Sequence, residues 1–212
     1  MINLLFTRLN SKMPDNIWND YFLRLPPDIQ KKISRYIRWQ DRQAGLFGKI
    51  LLSEGLKSYS GSSLTLYDLS YNQFGRPFIN SDIDFNISHS GEYILCAVTE
   101  NGKVGIDIEK IRDIDLSDFR QYMTDDEWQR IKEADKPYEK FYEYWTMKES
   151  VVKAEGKGLS ISLTDILFDD KKAFFNKRIW FLNEIFFESC YKCFLASNLE
   201  NSDIQIREIK LY

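Results

Sequence analysis

Imidazole and thiol groups are nearly missing from this chain. One histidine, His89, and three cysteines, Cys96, Cys190 and Cys193, stand among 212 residues. That excludes a histidine-rich zinc site and leaves an odd thiol count with no disulfide framework. Cys190 and Cys193 form C-x-x-C, but FFESCYKCFLAS reads as a strand, and positions three apart on a strand point to opposite faces. Two separate buried thiols are expected there, not a shared metal or redox site. No apolar run approaches the ~20 residues that cross a bilayer, and MINLLFTRLN is too short and too polar for a secretion signal. A cytoplasmic protein with no membrane association is expected. Cations are not in surplus either: 29 Lys and Arg meet 32 Asp and Glu, a formal net charge of -3, which argues against nucleic-acid binding. Repeats, low-complexity tracts and Gly/Ser- or Pro-rich linkers are also missing.

What the chain does have is core material, with 43% hydrophobic and 15% aromatic residues, as a globular protein requires. Its length fits one large domain or two small ones. Residues 2 to 9 alternate as a strand, and Pro14 to Leu25 carries Ile17, Trp18, Tyr21, Phe22 and Leu25 at helical spacing. Asp28 to about Leu56 reads as one long helix. Strands are predicted at Ser63–Leu69, Asp82–Ser88, Tyr93–Thr99 and Lys103–Glu109, the last two joined through Asn101-Gly102 as part of an antiparallel meander. Thr124-Asp-Asp-Glu127 is a capping-box pattern, and a helix from Pro137 to about Ala154 should stop at Gly156. Further strands are expected near 161–168, 179–187, 190–197 and 203–211. Helix followed by antiparallel strands, twice over, predicts an α+β protein with two similar halves, 1–105 and 106–212.

Four segments could carry chemistry. In KVGIDIEK, Asp107 and Glu109 share one face of a strand about 7 Å apart, where like charges repel by about 2 kcal/mol at an effective dielectric near 20. A hard cation such as magnesium between them, or a wet acidic face, would relieve this. In WTMKESVVKAEGKGLS, Glu149 lies one turn before Lys153, with Lys148 beside it. This is either a surface ion pair or a carboxylate that completes a metal site flanked by cations for a diphosphate. His89 in FNISHSGEY is either structural or an anion contact. Lys31, Arg35, Arg38, Arg42 and Lys49 form a basic stripe on the long helix, a solvated face or a site for an anionic partner, and Phe74-Gly75-Arg76-Pro77 is a loop able to bring Arg76 to the same ligand.

Taken together, FGRP at 74–77, FNISHS at 85–90, GIDIE at 105–109 and WTMKESVVKAEGKGLS at 145–160 resemble the Sfp-like (surfactin-synthetase-activating) type of phosphopantetheinyl transferase. The resemblance spans about residues 28 to 168. It implies a pseudo-twofold pair of α+β halves, each an antiparallel sheet packed on a long helix, with the active site in the cleft between them. It implies that Asp107, Glu109 and Glu149 hold magnesium with the diphosphate of coenzyme A, the co-substrate, and that Lys148 and Lys153 neutralise phosphate oxygens. Arg76, Ser88, His89 and Lys32 would contact the nucleotide end. Ile29 stands where such proteins often carry a lysine, and Arg42 directly follows Asp41, which leaves Lys32 as the helix contact. Glu149 would take the proton from a serine of an apo acyl or peptidyl carrier protein, directly or through water, and adenosine 3′,5′-bisphosphate would leave. A monomer is expected. Phe119, Tyr122, Met123 and Trp128 are the expected docking surface for the carrier, with simple packing of the junction between the halves as the alternative.

Overall fold

The computed structural model describes residues 1–59 and 63–212. In chain order the elements are β1 (Ile2–Arg8), α1 (Asp15–Phe22), α2 (Pro27–Ser34), α3 (Trp39–Lys57), β2 (Leu69–Tyr71), β3 (Pro77–Ile79), β4 (Ile83–Ser90), β5 (Tyr93–Glu100) and β6 (Val104–Lys110). There follow α4 (Asp125–Glu133), α5 (Pro137–Glu155), β7 (Leu167–Asp169), β8 (Lys172–Phe175), β9 (Arg178–Glu184), β10 (Tyr191–Ser197) and β11 (Ile204–Glu208). Two compact units result. One comprises Met1–Tyr71, Pro77–Asn101 and Ser202–Tyr212, and the other Asn72–Arg76 and Gly102–Asn201. They are not the product of a single cut at 105/106, because β11 pairs with β1 and so returns the end of the chain to the first unit. Among the described residues no helix is long and apolar enough to cross a membrane.

Both units follow one α+β plan, a sheet with a 19-residue helix on it. In the first, the sheet order is β11-β1-β5-β4, parallel only between β1 and β11. Phe47, Leu51 and Leu52 of α3 enter a core with Leu5, Cys96 and Val98. In the second, the antiparallel order is β6-β10-β9-β8-β7, and α5 contributes Met147, Val151 and Ala154 to a core with Trp180, Leu182 and Ala196. Thr124 and Glu127 cap α4 reciprocally, as their spacing predicts.

Several elements differ from expectation. The single helix over 28–56 is two, α2 and α3, with an extended Arg38 between them. The apolar stripe Ile29, Ile33 does not continue, since Ile37 is 93% exposed, and Arg42 Nε donates to the Tyr36 carbonyl at 2.7 Å across the break. Arg42 thus stabilises the break, and the basic stripe is not one continuous helix face. Asn101-Gly102 is not a hairpin turn: β5 has β1 and β4 as its neighbours, while β6 pairs with β10. The run 63–69 is mostly a capped 3-10 turn at Leu66–Asp68 that precedes β2. In 161–168 only the end is strand, after a 3-10 turn at Leu163–Asp165. Cys193 is buried and Cys190 exposed, so the C-x-x-C thiols share no site.

Candidate active site

The alternation of β6 puts Gly105, Asp107 and Glu109 on the sheet face that α5 covers, with Ile106 and Ile108 on the other. Gly105 sets the distance between strand and helix. A Cβ there would lie 2.0 Å from the Ser150 carbonyl oxygen and 2.4 Å from the Ala154 nitrogen, so only glycine lets the α5 backbone approach this closely. Asp107, one pleat on, is 3% exposed and accepts a hydrogen bond from Lys153 Nζ at 2.6 Å. Glu149, one turn before Lys153, is pushed above the usual carboxylate range by burial and then by the charge of Asp107, against the pull of Lys153. Asp107, Glu149 and Lys153 therefore form one electrostatic group. Glu109 is half-buried at the end of the same row, and its charge helps raise the Tyr142 hydroxyl pKa on α5 after burial. Phe194, opposite Asp107 on β10, lines a cavity of about 1030 Å³ together with Glu127, Tyr144, Met147, Phe168 and Leu182.

Lys148 stands apart from this group. It has no exposed surface, its Nζ donates to the Leu163 carbonyl at 2.8 Å, and it pairs with Glu127 Oε2 at 2.9 Å. Burial lowers its pKa while Glu127 opposes the shift. Glu127 Oε2 also accepts from the Thr124 N–H at 2.8 Å, so the α4 cap and the Lys148 ammonium share one carboxylate. A phosphate contact by Lys148 requires that pair to open.

The Phe74–Arg76 loop belongs to the second unit. Arg76 Nη2 donates to the Val104 carbonyl at 3.2 Å, and its stem lies over Gly156, where a Cβ would come within 2.5 Å of Arg76 Cδ. In the first unit, Ser88 is buried and His89 exposed on β4, opposite Leu95 and Ile94. Lys32 on α2 is exposed, with Nζ 5.0 Å from the centre of the Tyr71 ring.

Among the described residues, no three His, Cys, Asp or Glu side chains are gathered closely enough to hold a metal unaided. The donor set nevertheless suits magnesium, which commonly takes one or two carboxylates and fills its octahedron with phosphate oxygens and water. Asp107 lies close enough to raise the pKa of Glu149, and a divalent cation would offset that repulsion.

The expected docking residues are only partly at the surface. Met123 is 1% exposed, and the Phe119 ring packs within 5.2–5.3 Å of those of Phe141 and Trp145. Tyr122 is exposed, and Trp128 lies half-buried with Arg120 above its ring. Asn72, Gly105 and Glu127 were not singled out for the site from sequence. For Gly105 the signal was its place in G-I-D-I-E; for Asn72 there was none.

Residues 103–206 match the family described as the 4′-phosphopantetheinyl transferase superfamily, and residues 13–101 match the 4′-phosphopantetheinyl transferase N-terminal family. The 4′-phosphopantetheinyl transferase gsp of Aneurinibacillus migulanus is 33% identical over 171 residues, 80% of this chain and 72% of that protein. The chain belongs to the 4′-phosphopantetheinyl transferase superfamily. The superfamily member Sfp of Bacillus subtilis (strain 168) is 33% identical over 150 residues, 68% of this chain. The L-aminoadipate-semialdehyde dehydrogenase-phosphopantetheinyl transferase of Xenopus laevis is 26% identical over 160 residues. The chain spans 66% of the Bacillus protein and 53% of the frog one.

Proposed function

We propose that this protein transfers the 4′-phosphopantetheine arm of coenzyme A to a serine of an apo acyl or peptidyl carrier protein, with magnesium, and releases adenosine 3′,5′-bisphosphate. The observation that carries this reading is the grouping of Asp107, Glu149 and Lys153 between β6 and α5 in a member of this superfamily. Asp107 and Glu149, with Glu109, would hold the cation, which when bound offsets the charge of the diphosphate and of the leaving phosphate oxygen.

The remaining chemistry falls to side chains. Lys153 neutralises phosphate oxygens from its place beside Asp107. Glu149 takes the serine proton, directly or through one water, as the serine oxygen attacks the phosphorus next to the pantetheine arm and the bond to the bisphosphate oxygen breaks. As a carboxylate, Glu149 suits this role once a bound cation offsets the charge of Asp107, because the base must be ionised at neutral pH. Arg76, His89, Ser88 and Lys32 take the nucleotide end. The reading keeps the cytoplasmic location and the monomeric state expected from sequence.

The test is incubation with coenzyme A, magnesium and a panel of apo carriers, followed by mass spectrometry. One carrier should gain the mass of the arm, a chelator should stop the gain and added magnesium should restore it. No gain on any carrier, or hydrolysis of coenzyme A without transfer, would overturn the reading.

A further inference from the structure

Asn72 carries no charge and lies outside every motif that marks the site, yet both polar atoms of its side chain are engaged. Its Oδ1 accepts from the backbone N–H of Phe74 and of Arg76, each at 2.9 Å. Its Nδ2 donates to the carbonyl oxygen of Gly156 at 2.8 Å. Its backbone N–H donates to the Arg76 carbonyl at 3.0 Å and its own carbonyl accepts from Gly75 at 2.9 Å, so Asn72 both closes the loop and ties it down.

The place where the loop is tied is informative. Gly156 ends α5 in the left-handed conformation, φ 74°, which leaves its carbonyl outside the helical hydrogen-bond ladder and in need of a donor. Asn72 supplies that donor. The missing side chain of Gly156 leaves the space in which the Arg76 stem lies, and the Arg76 guanidinium reaches the carbonyl of Val104, the first residue of the strand that carries Asp107. One asparagine therefore links Arg76, the end of the helix that carries Glu149 and Lys153, and the start of β6.

We infer that Asn72 is a positioning residue for the nucleotide end of coenzyme A: it docks the Phe74–Arg76 loop on the end of α5, so that Arg76 is held in register with Asp107, Glu149 and Lys153 before the substrate arrives. The inference rests on the function proposed above. A loop ordered in advance avoids the entropy loss that binding would otherwise incur, so removing the tie should weaken coenzyme A binding and leave the chemical step alone.

Asn72→Ala removes all three side-chain bonds. Asn72→Asp keeps an acceptor for the Phe74 and Arg76 N–H groups, and with it the turn, but loses the donor to Gly156 and sets a carboxylate against that carbonyl. Both variants should raise the KM for coenzyme A about tenfold, with kcat and the carrier KM within twofold of wild type. Amide exchange at Phe74 and Arg76 should accelerate in Asn72→Ala and stay slower in Asn72→Asp. A wild-type KM in Asn72→Asp would reduce Asn72 to a turn-former, and a parallel fall of kcat, carrier KM and melting temperature would reduce it to general support; either overturns the inference. A wild-type protein that transfers no arm to any carrier would instead overturn the functional reading, and the positioning role with it.

Discussion

Lys148 and Lys153 lie five positions apart on α5, about 140° around the axis at 100° per residue, and the two ammonium groups meet different surroundings. Lys153 joins Asp107 at the candidate site, and Lys148 joins Glu127 in the interior. Lys148→Met leaves the Glu127 carboxylate buried without this partner and should destabilise the protein by about 3–5 kcal/mol. Adding Glu127→Gln, which still accepts from Thr124, should recover most of the loss. Urea unfolding of the single and double variants decides this, and additive losses would exclude a coupled pair. Asp107→Ala and Glu149→Ala should each lower turnover about 100-fold, a loss checked by rates on protein shown to be folded. Glu149 also sets a pH dependence. Its folded pKa lies above its unfolded value, so the stability it contributes is complete below the ordinary glutamate range and is lost as pH rises through the raised value. Without magnesium, Glu149→Gln should melt above wild type at about pH 8, and the gap should close below about pH 4. A gap independent of pH would place the cause elsewhere.

The contact between α5 and β6 depends on one residue without a side chain. Gly105→Ala sets a methyl group against the α5 backbone, and because neither neighbour is a flexible side chain, the helix itself must shift. The loss should exceed the ~1–3 kcal/mol of ordinary overpacking. Turnover should fall with stability, since Asp107 and Glu149 separate together; thermal melts and rates on the same protein check both. Met123→Ala should cost about 2–5 kcal/mol as a core truncation and is therefore a poor probe of carrier docking, for which exposed Tyr122 is the better choice. These elements also mark how far the sequence could be read. The start of α5 at Pro137, its stop at Gly156 and the Thr124–Glu127 cap follow from local rules, and all three are found. The break between α2 and α3 has no proline or glycine to announce it; tertiary packing turns Ile37 outward and starts a new apolar face at α3. Strand β8 is flanked by Asp170, Asn176 and Lys177 at positive φ, turns made without the glycine that would have revealed them. The grouping of Asp107, Glu149 and Lys153 was legible because they lie in short motifs. Asn72 was not, because its partner at Gly156 is distant along the chain and close only in the fold.

At the scale of the molecule, the chain order and the unit order differ. The first unit contains both the earliest strand and the latest, with β11 in parallel register beside β1 from Ile2–Ile204 to Phe6–Glu208, and the Gly102–Asn201 stretch of the second unit lies between them. A chain ending at Asn201 should keep the second unit's five-stranded sheet and lose protection along β1. Hydrogen exchange should rise at Ile2, Leu4 and Phe6, whose N–H groups face β11, while Asn3, Leu5, β9 and β10 hold, and uniform protection in the truncated chain would show that β11 adds nothing. On the ribosome, β1 is made well before β11 and waits for this neighbour until the Gly102–Asn201 stretch has emerged. During that interval its outer edge offers unsatisfied backbone groups to any extended chain nearby, the arrangement that favours intermolecular strand pairing. The nascent chain thus carries an open strand edge until β11 is made, and its yield in a cell should respond to chaperones that bind before that point.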